Sequence, residues 1–145
     1  MIVEHDADIA NILAQCRTIA VVGLSANIDR PSYEVAQVMQ DAGMHIVPVN
    51  PTIAEALGER AYPNLASIPF GVDMVNCFRR AEDMPSVADT LSLMKLPPKV
   101  LWMQLGIVSS YAAQTASALG LQVVMNRCWK IEWQRLGASR YTQRL

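Results

Sequence analysis

The run TIAVVGL at residues 18–24 constrains the chain more than any other stretch, because it is almost continuously apolar, rich in β-branched residues and closed by a glycine. A strand with one wet face alternates polar with apolar residues, whereas a strand covered on both faces reads as this one does. The sequence therefore predicts a buried parallel strand with helices above and below it. A content of 52% hydrophobic and 17% charged residues agrees with such a fold and excludes intrinsic disorder.

The same grammar repeats along the chain. Ile9, Ile12, Leu13 and Cys16 have the spacing of an amphipathic helix over 6–15, packed against the outside of the sheet. After the loop SANIDR, Pro31 suits the first turn of a second helix, Val35, Val38, Met39 and Ala42 line one of its faces, and Gly43 stops it. HIVPV at 45–49 is a second strand, turned away by Asn50 and Pro51, and a loop-rich stretch passes through Pro63 and Pro69. DMVNCF at 73–78 is the third strand. Met84, Val87, Leu91 and Met94 predict a helix ended by Pro97 and Pro98, and KVLWMQL at 99–105 is the fourth strand, with Trp102 in the core. A helix with Ala112, Thr115, Ala116 and Leu119 facing inward ends at Gly120; the strand LQVVMN at 121–126 and a helical tail over 128–136 complete the pattern. Strands alternating with helices at this spacing imply right-handed crossovers. The expected fold is α/β: a three-layer, doubly wound, mostly parallel sheet of about five strands, Rossmann-like in order and forming one domain over residues 1–145.

Several function classes fall away at this level. A formal charge of -1 and the lack of a basic stripe give no electrostatic footprint for nucleic acid. No apolar run approaches the ~20 residues that cross a bilayer, and the acidic start MIVEHDADIA is unlike a signal peptide, so no membrane association and a cytoplasmic location are expected. Cys16, Cys77 and Cys128 are odd in number and scattered, with only His5 and His45 beside them; they read as reduced thiols rather than as a disulfide framework or a metal site.

In doubly wound sheets the ligand lies beyond the carboxyl ends of the strands. At the first such end Gly23, Leu24, Ser25, Arg30 and Ser32 lead into a helix start, where backbone amides, hydroxyls and a guanidinium suit a phosphate; the competing reading is an ordinary polar loop. A GxGxxG motif would need glycines at 25 and 28, where Ser25 and Ile28 stand, and Val49, Asn50 and Pro51 occupy the place of the acid that binds a ribose in dinucleotide folds. Phe78, Arg79 and Arg80 end the third strand with a flat ring and two cations, although Arg80 also reads as a surface ion pair with Glu82 or Asp83. Gln104, Gly106 and Ile107 end the fourth, offering an amide and close approach, or simply a turn.

Taken together, AVVGLSANIDRPSYEVA (20–36), PVNP (48–51), DMVNCFRR (73–80), VLWMQLGI (100–107) and VVMNRCWKIEWQRL (123–136) resemble the stand-alone CoA-binding domain family, whose fold also forms the nucleotide-binding part of the succinyl-CoA ligase alpha subunit. The resemblance covers almost the whole chain. It implies coenzyme A as cofactor, with the diphosphate near Gly23, Ser25, Arg30 and Ser32, the adenosine end near Val49, Asn50, Pro51, Phe78 and Arg79, and Gln104 and Gly106 on the opposite side. A 3′-phosphate beside the diphosphate explains arginines where NAD wants an acid. The family's NRC segment is Asn126, Arg127 and Cys128, with Cys128 expected as a buried structural thiol rather than a partner of the CoA thiol. The ligase's histidine-bearing domain and nucleotide-grasp partner have no counterpart here. The function expected is therefore non-catalytic binding of CoA or an acyl-CoA by a carrier, sensor or regulatory protein. The alternatives are an NAD(P)- or acyl-CoA-dependent enzyme, a CoA-binding subunit of a larger ligase or transferase, and an interaction module docking through residues 129–136. In that tail Ile131, Trp133 and Leu136 are expected to cover the chain's own sheet instead.

Overall fold

A computed structural model describes residues 1–137 of the chain; residues 138–145 of the expected domain lie outside that range. Five parallel strands form the sheet: β1 (Thr18–Val22), β2 (His45–Val49), β5 (Met74–Cys77), β6 (Val100–Met103) and β7 (Gln122–Val124), in the order β2-β1-β5-β6-β7. A two-stranded antiparallel hairpin, β3 (Glu55–Ala56) and β4 (Glu59–Arg60), sits in the loop-rich stretch after β2. It was not visible in the sequence, where two-residue strands carry no periodicity.

The apolar runs resolve into two cores because successive strand side chains point to opposite faces. Ile19, Val21, Ile46, Met74, Val100, Trp102 and Val124 pack with α1 (Asp6–Gln15), α2 (Pro31–Asp41) and α5 (Trp129–Leu136). Ala20, Val22, Val47, Val75, Cys77, Leu101, Met103 and Val123 face the other way, toward α3 (Met84–Asp89) and α4 (Ser110–Ala118). A sheet buried on both faces has no room for polar alternation, and this accounts for the composition of β1. Trp102 is fully buried, its indole N–H donating to the Arg127 carbonyl at 2.8 Å. Among the described residues no helix is long and apolar enough to cross a membrane.

Three helical expectations change. The helix expected across Met84–Met94 breaks after Asp89 and resumes as a 3₁₀ turn at Leu91–Leu93; the Thr90 hydroxyl donates to the Val87 carbonyl at 2.7 Å where the helix ends. In α4 the buried positions are Ala112, Ala113 and Ala116, while Leu119 is exposed because the helix stops at Ala118 and Leu121 takes the inward place. In α5 the inward stripe is Trp129, Glu132, Trp133 and Leu136, spaced i, i+3, i+4, i+7. Ile131 falls outside that phase and is 49% exposed, so it does not cover the sheet.

Candidate functional site

The strand order places a crevice between β1 and β5. The chain leaves β1 for α2 on one face of the sheet and leaves β5 for α3 on the other, and such a divergence opens space at the carboxyl ends of the two strands. Gly23 follows β1 with φ +86°, and a Cβ there would lie 2.7 Å from the Phe78 carbonyl oxygen and 3.5 Å from Arg79 Cδ. Only glycine lets the two loops pass this closely.

Two adjoining cavities line the crevice on the α2–α5 side. The first, about 380 Å³, is bounded by Gly23, Ser25, Arg30, Pro31, Ser32 and Phe78. The second, about 520 Å³, continues past the shared Pro31 and Phe78 along Val35, Arg79, Arg80, Gln104, Leu105, Ile107, Cys128 and Ile131. Among the described residues no carboxylate lines either. Beyond Leu105, Cys128 and Ile131 the surface continues into a more polar hollow that includes Glu4, Asn126, Arg127 and Glu132. A separate, smaller cavity of about 140 Å³, which Arg79 also lines, lies between Val22, Val49, the turn at Asn64 and the α3 segment carrying Ser86 and Thr90.

The polar end is organised from within. The Ser25 amide donates to the Ser32 hydroxyl oxygen, the Asn27 amide to that of Ser25, and the Asp29 amide to the Asn27 side chain, each at 2.9–3.0 Å. The Ser25 amide is therefore already used, contrary to an array of free amides, while the Ser32 hydroxyl keeps its own proton to donate. Arg30 is the N-cap of α2 and no side chain caps that helix. Its uncapped first turn retains the partial positive charge that favours an anion. Among the described residues neither Arg30 nor Arg79 forms an ion pair, whereas Arg80 has Glu82 at 3.5 Å and Asp83 at 3.4 Å. Arg80 thus lies on the cleft wall and also makes the surface pair that its sequence suggested.

Across the crevice, Gln104 and Asn76 are buried on the α2–α5 face. Gln104 Nε2 donates to Asn76 Oδ1 at 2.8 Å, and Asn76 Nδ2 contacts the Met74 sulfur at 3.6 Å. Gln104 Oε1 has no donor among the described residues and belongs to a side chain on the cleft wall. The turn after β6 is held by Asn126, which adopts φ +58° and accepts the Gly106 amide at 2.7 Å; the Asn126 amide reaches the Ile107 carbonyl at 3.2 Å. Ile107 faces the cleft while Gly106 lines none of the cavities, so the glycine serves the turn.

Other expected site residues fall elsewhere. Leu24 is fully buried in the α2-side core and faces no cavity. Val49 forms part of the smaller cavity's wall. Asn50 is spent on structure: its Nδ2 donates to the Leu24 carbonyl at 3.0 Å and its Oδ1 accepts the Thr52 amide at 2.9 Å. Pro51 is exposed and lines no cavity. Conversely, Leu105 and Ile131 line the cleft although the sequence marks neither as a contact, and Cys128, expected to be buried rather than beside the CoA thiol, lines it too. For Ile131 the helical phase of α5 was the available signal. Cys128 differs from the buried thiol expected of it, because α5 begins one residue later and Trp129 takes the inward place, leaving Cys128 half-buried on the cleft wall. Burial pushes the other two thiols, Cys16 and Cys77, up to about 12.

Fold and cleft define a doubly wound α/β protein with a ligand-sized crevice at its topological switch point. The model of the CoA binding domain family matches residues 17–134, and the chain belongs to that family. It is 45% identical over 125 residues to the protein YneT of Bacillus subtilis, covering 86% of this chain and 91% of YneT. A hypothetical protein from Pyrococcus horikoshii superposes with a TM-score of 0.86 at 30% identity, over 92% of each chain. The apo form of an acetyl-coenzyme A synthetase from Ca. Korarchaeum cryptofilum shares the fold, with a TM-score of 0.65 at 21% identity over 80% of this chain and 27% of the synthetase.

Proposed function

We propose that this chain binds coenzyme A or an acyl-CoA along the α2–α5 side of the crevice, and that it does so as a non-catalytic carrier, sensor or regulatory protein. The observation that carries this reading is one continuous cleft with two unlike ends. Arg30, the Ser32 hydroxyl and the uncapped start of α2 stand at one end, and the apolar wall of Leu105, Ile107 and Ile131 at the other. Coenzyme A has that same polarity: an anionic nucleotide joined to a long pantetheine arm whose polar groups are chiefly amides. In this arrangement Arg30 pairs with a phosphate, Arg79 serves the phosphates or adenine from the floor between the loops, and Gln104 Oε1 accepts an arm amide. Among the described residues no carboxylate lines either cavity, and in the adjoining hollow, which Glu4 and Glu132 line, Glu132 is held by Arg127 and Arg135; this supports binding over turnover.

Calorimetry with the nucleotide-stripped protein tests this reading, with dephospho-CoA and NAD as comparison ligands. CoA should bind, dephospho-CoA more weakly and NAD not measurably; tight NAD binding with no heat from CoA would overturn the assignment. Arg30→Ala should cost about 1.5–3 kcal/mol of CoA affinity while leaving thermal stability unchanged, since Arg30 is exposed and holds nothing else in place. An unaltered affinity would remove Arg30 from the site.

A further inference from the structure

We infer that Cys128 is a capture site for oxidised coenzyme A, forming a mixed disulfide with the CoA sulfur at the apolar end of the cleft. The inference rests on the proposed CoA-binding reading and goes beyond it, because reversible binding needs no thiol. Three observations lead there. Of the three thiols, Cys16 and Cys77 are sealed in the core, 2% and 0% exposed, and only Cys128 reaches a cavity. It does so at the far end of the cleft from Arg30 and Ser32, where the wall shared with the next hollow consists of Leu105, Cys128 and Ile131. Independently, Gln104 on the same cavity wall is 4% exposed, and its Oε1 has no donor among the described residues. With Nε2 held by Asn76, that oxygen is fixed in place and open to the cavity, where it can accept from a ligand donor. An amide N–H of a pantetheine arm supplies that donor and directs the arm past Gln104 toward Cys128.

The chemistry is thiol–disulfide exchange, with a disulfide of CoA as the named oxidant. Cys128 loses its proton and its sulfur attacks the CoA sulfur of that disulfide; the Sγ–S bond forms as the original S–S bond breaks. The departing thiolate leaves with the electron pair and takes up a proton. One protein thiol is oxidised for each small disulfide reduced to a thiol. The mixed disulfide reverts when a second thiol attacks it, so occupancy of Cys128 reports the oxidation state of the CoA pool.

The test is intact-protein mass spectrometry of the full chain incubated with CoA disulfide or, at equal concentration, glutathione disulfide. The expected result is one CoA adduct, mapped by peptide analysis to Cys128, forming at least tenfold faster than the glutathione adduct and removed by dithiothreitol. Cys128→Ser should take up none while still binding reduced CoA by calorimetry, and Arg30→Ala should slow the CoA reaction toward the glutathione rate. Equal rates with the two disulfides would overturn the inference by making Cys128 merely an accessible thiol. Normal binding of reduced CoA without an adduct would overturn it too, while leaving the binding function standing. If reduced CoA fails to bind and the rate preference is also absent, both readings fall.

Discussion

At one end of the cleft, residues 23–32 form a loop whose polar groups satisfy one another, with Ser25, Asn27 and Ser32 side chains holding the backbone in place. At the other end the wall is assembled from two distant segments, the turn after β6 and the start of α5, and it is mostly apolar. The first end is preorganised by short-range hydrogen bonds within ten residues. The second depends on long-range packing, with Asn126 fastening one segment to the other through the Gly106 amide. A charged ligand group needs fixed donors, because movable ones lose the gain in reorganisation; an apolar arm needs only a dry surface of suitable shape. Each end is built in the way that the ligand half proposed for it would require.

The largest effect should come from the point that joins the two ends. Gly23→Ala places a Cβ 2.7 Å from the Phe78 carbonyl oxygen, a backbone atom that cannot swing away, and does so at φ +86°. Steric and conformational strain together should destabilise the fold by roughly 2 kcal/mol or more, a drop of about 4–8 °C in melting temperature. CoA affinity should fall with it as the loops after β1 and β5 separate. An unaltered melting curve would show that these loops are not tightly coupled, and the contrast between a rigid and an assembled end would lose its hinge.

The two ends also differed in how far they could be read from sequence. Gly23, Ser25, Arg30 and Ser32 lie within ten residues of one another and shape one turn and one helix start, although the close approach of Gly23 to Phe78 is tertiary. The strands and the helices α1 and α2 were legible for the same reason, since their periodicity lies in the chain itself. Ile131 and Cys128 were not, because a slip of one or two residues in the start of α5 decides which side chains face the core. Asn50 was misleading for the opposite reason. It sits at the right strand end, yet tertiary hydrogen bonds to Leu24 and Thr52 use up its amide. The Asn76–Gln104 pair required the register of β5 against β6, which no single strand displays.

That buried pair offers the next test. Gln104→Met removes the donor to Asn76 Oδ1, a group with no exposure, and should cost about 1–3 kcal/mol of stability by urea denaturation. Asn76→Val with Gln104→Met removes both partners and should recover most of that loss, because neither polar group is then left stranded. If the apolar end takes the pantetheine arm, the stabilised double variant should still bind CoA more weakly than the parent chain, having lost the open carbonyl oxygen. Parent-like affinity in that variant would limit the apolar end to shape alone.

The smallest effect expected is that of Ile131→Ser, and it separates the two ends most cleanly. Ile131 is exposed on α5 and outside its inward stripe, so stability should change by less than about 0.5 kcal/mol. CoA should lose roughly 0.5–1 kcal/mol of affinity, the value of a few tens of Å² of apolar surface no longer covered. The nucleotide half of CoA alone, adenosine 3′,5′-bisphosphate, lacks the pantetheine arm and should bind parent and variant equally. Arg30→Ala should behave in the reverse sense, weakening both ligands alike. Crossing two variants with two ligands therefore assigns each cleft end to a ligand half: additive losses support the division, and an Ile131→Ser effect on the bisphosphate would place the nucleotide, rather than the arm, against α5.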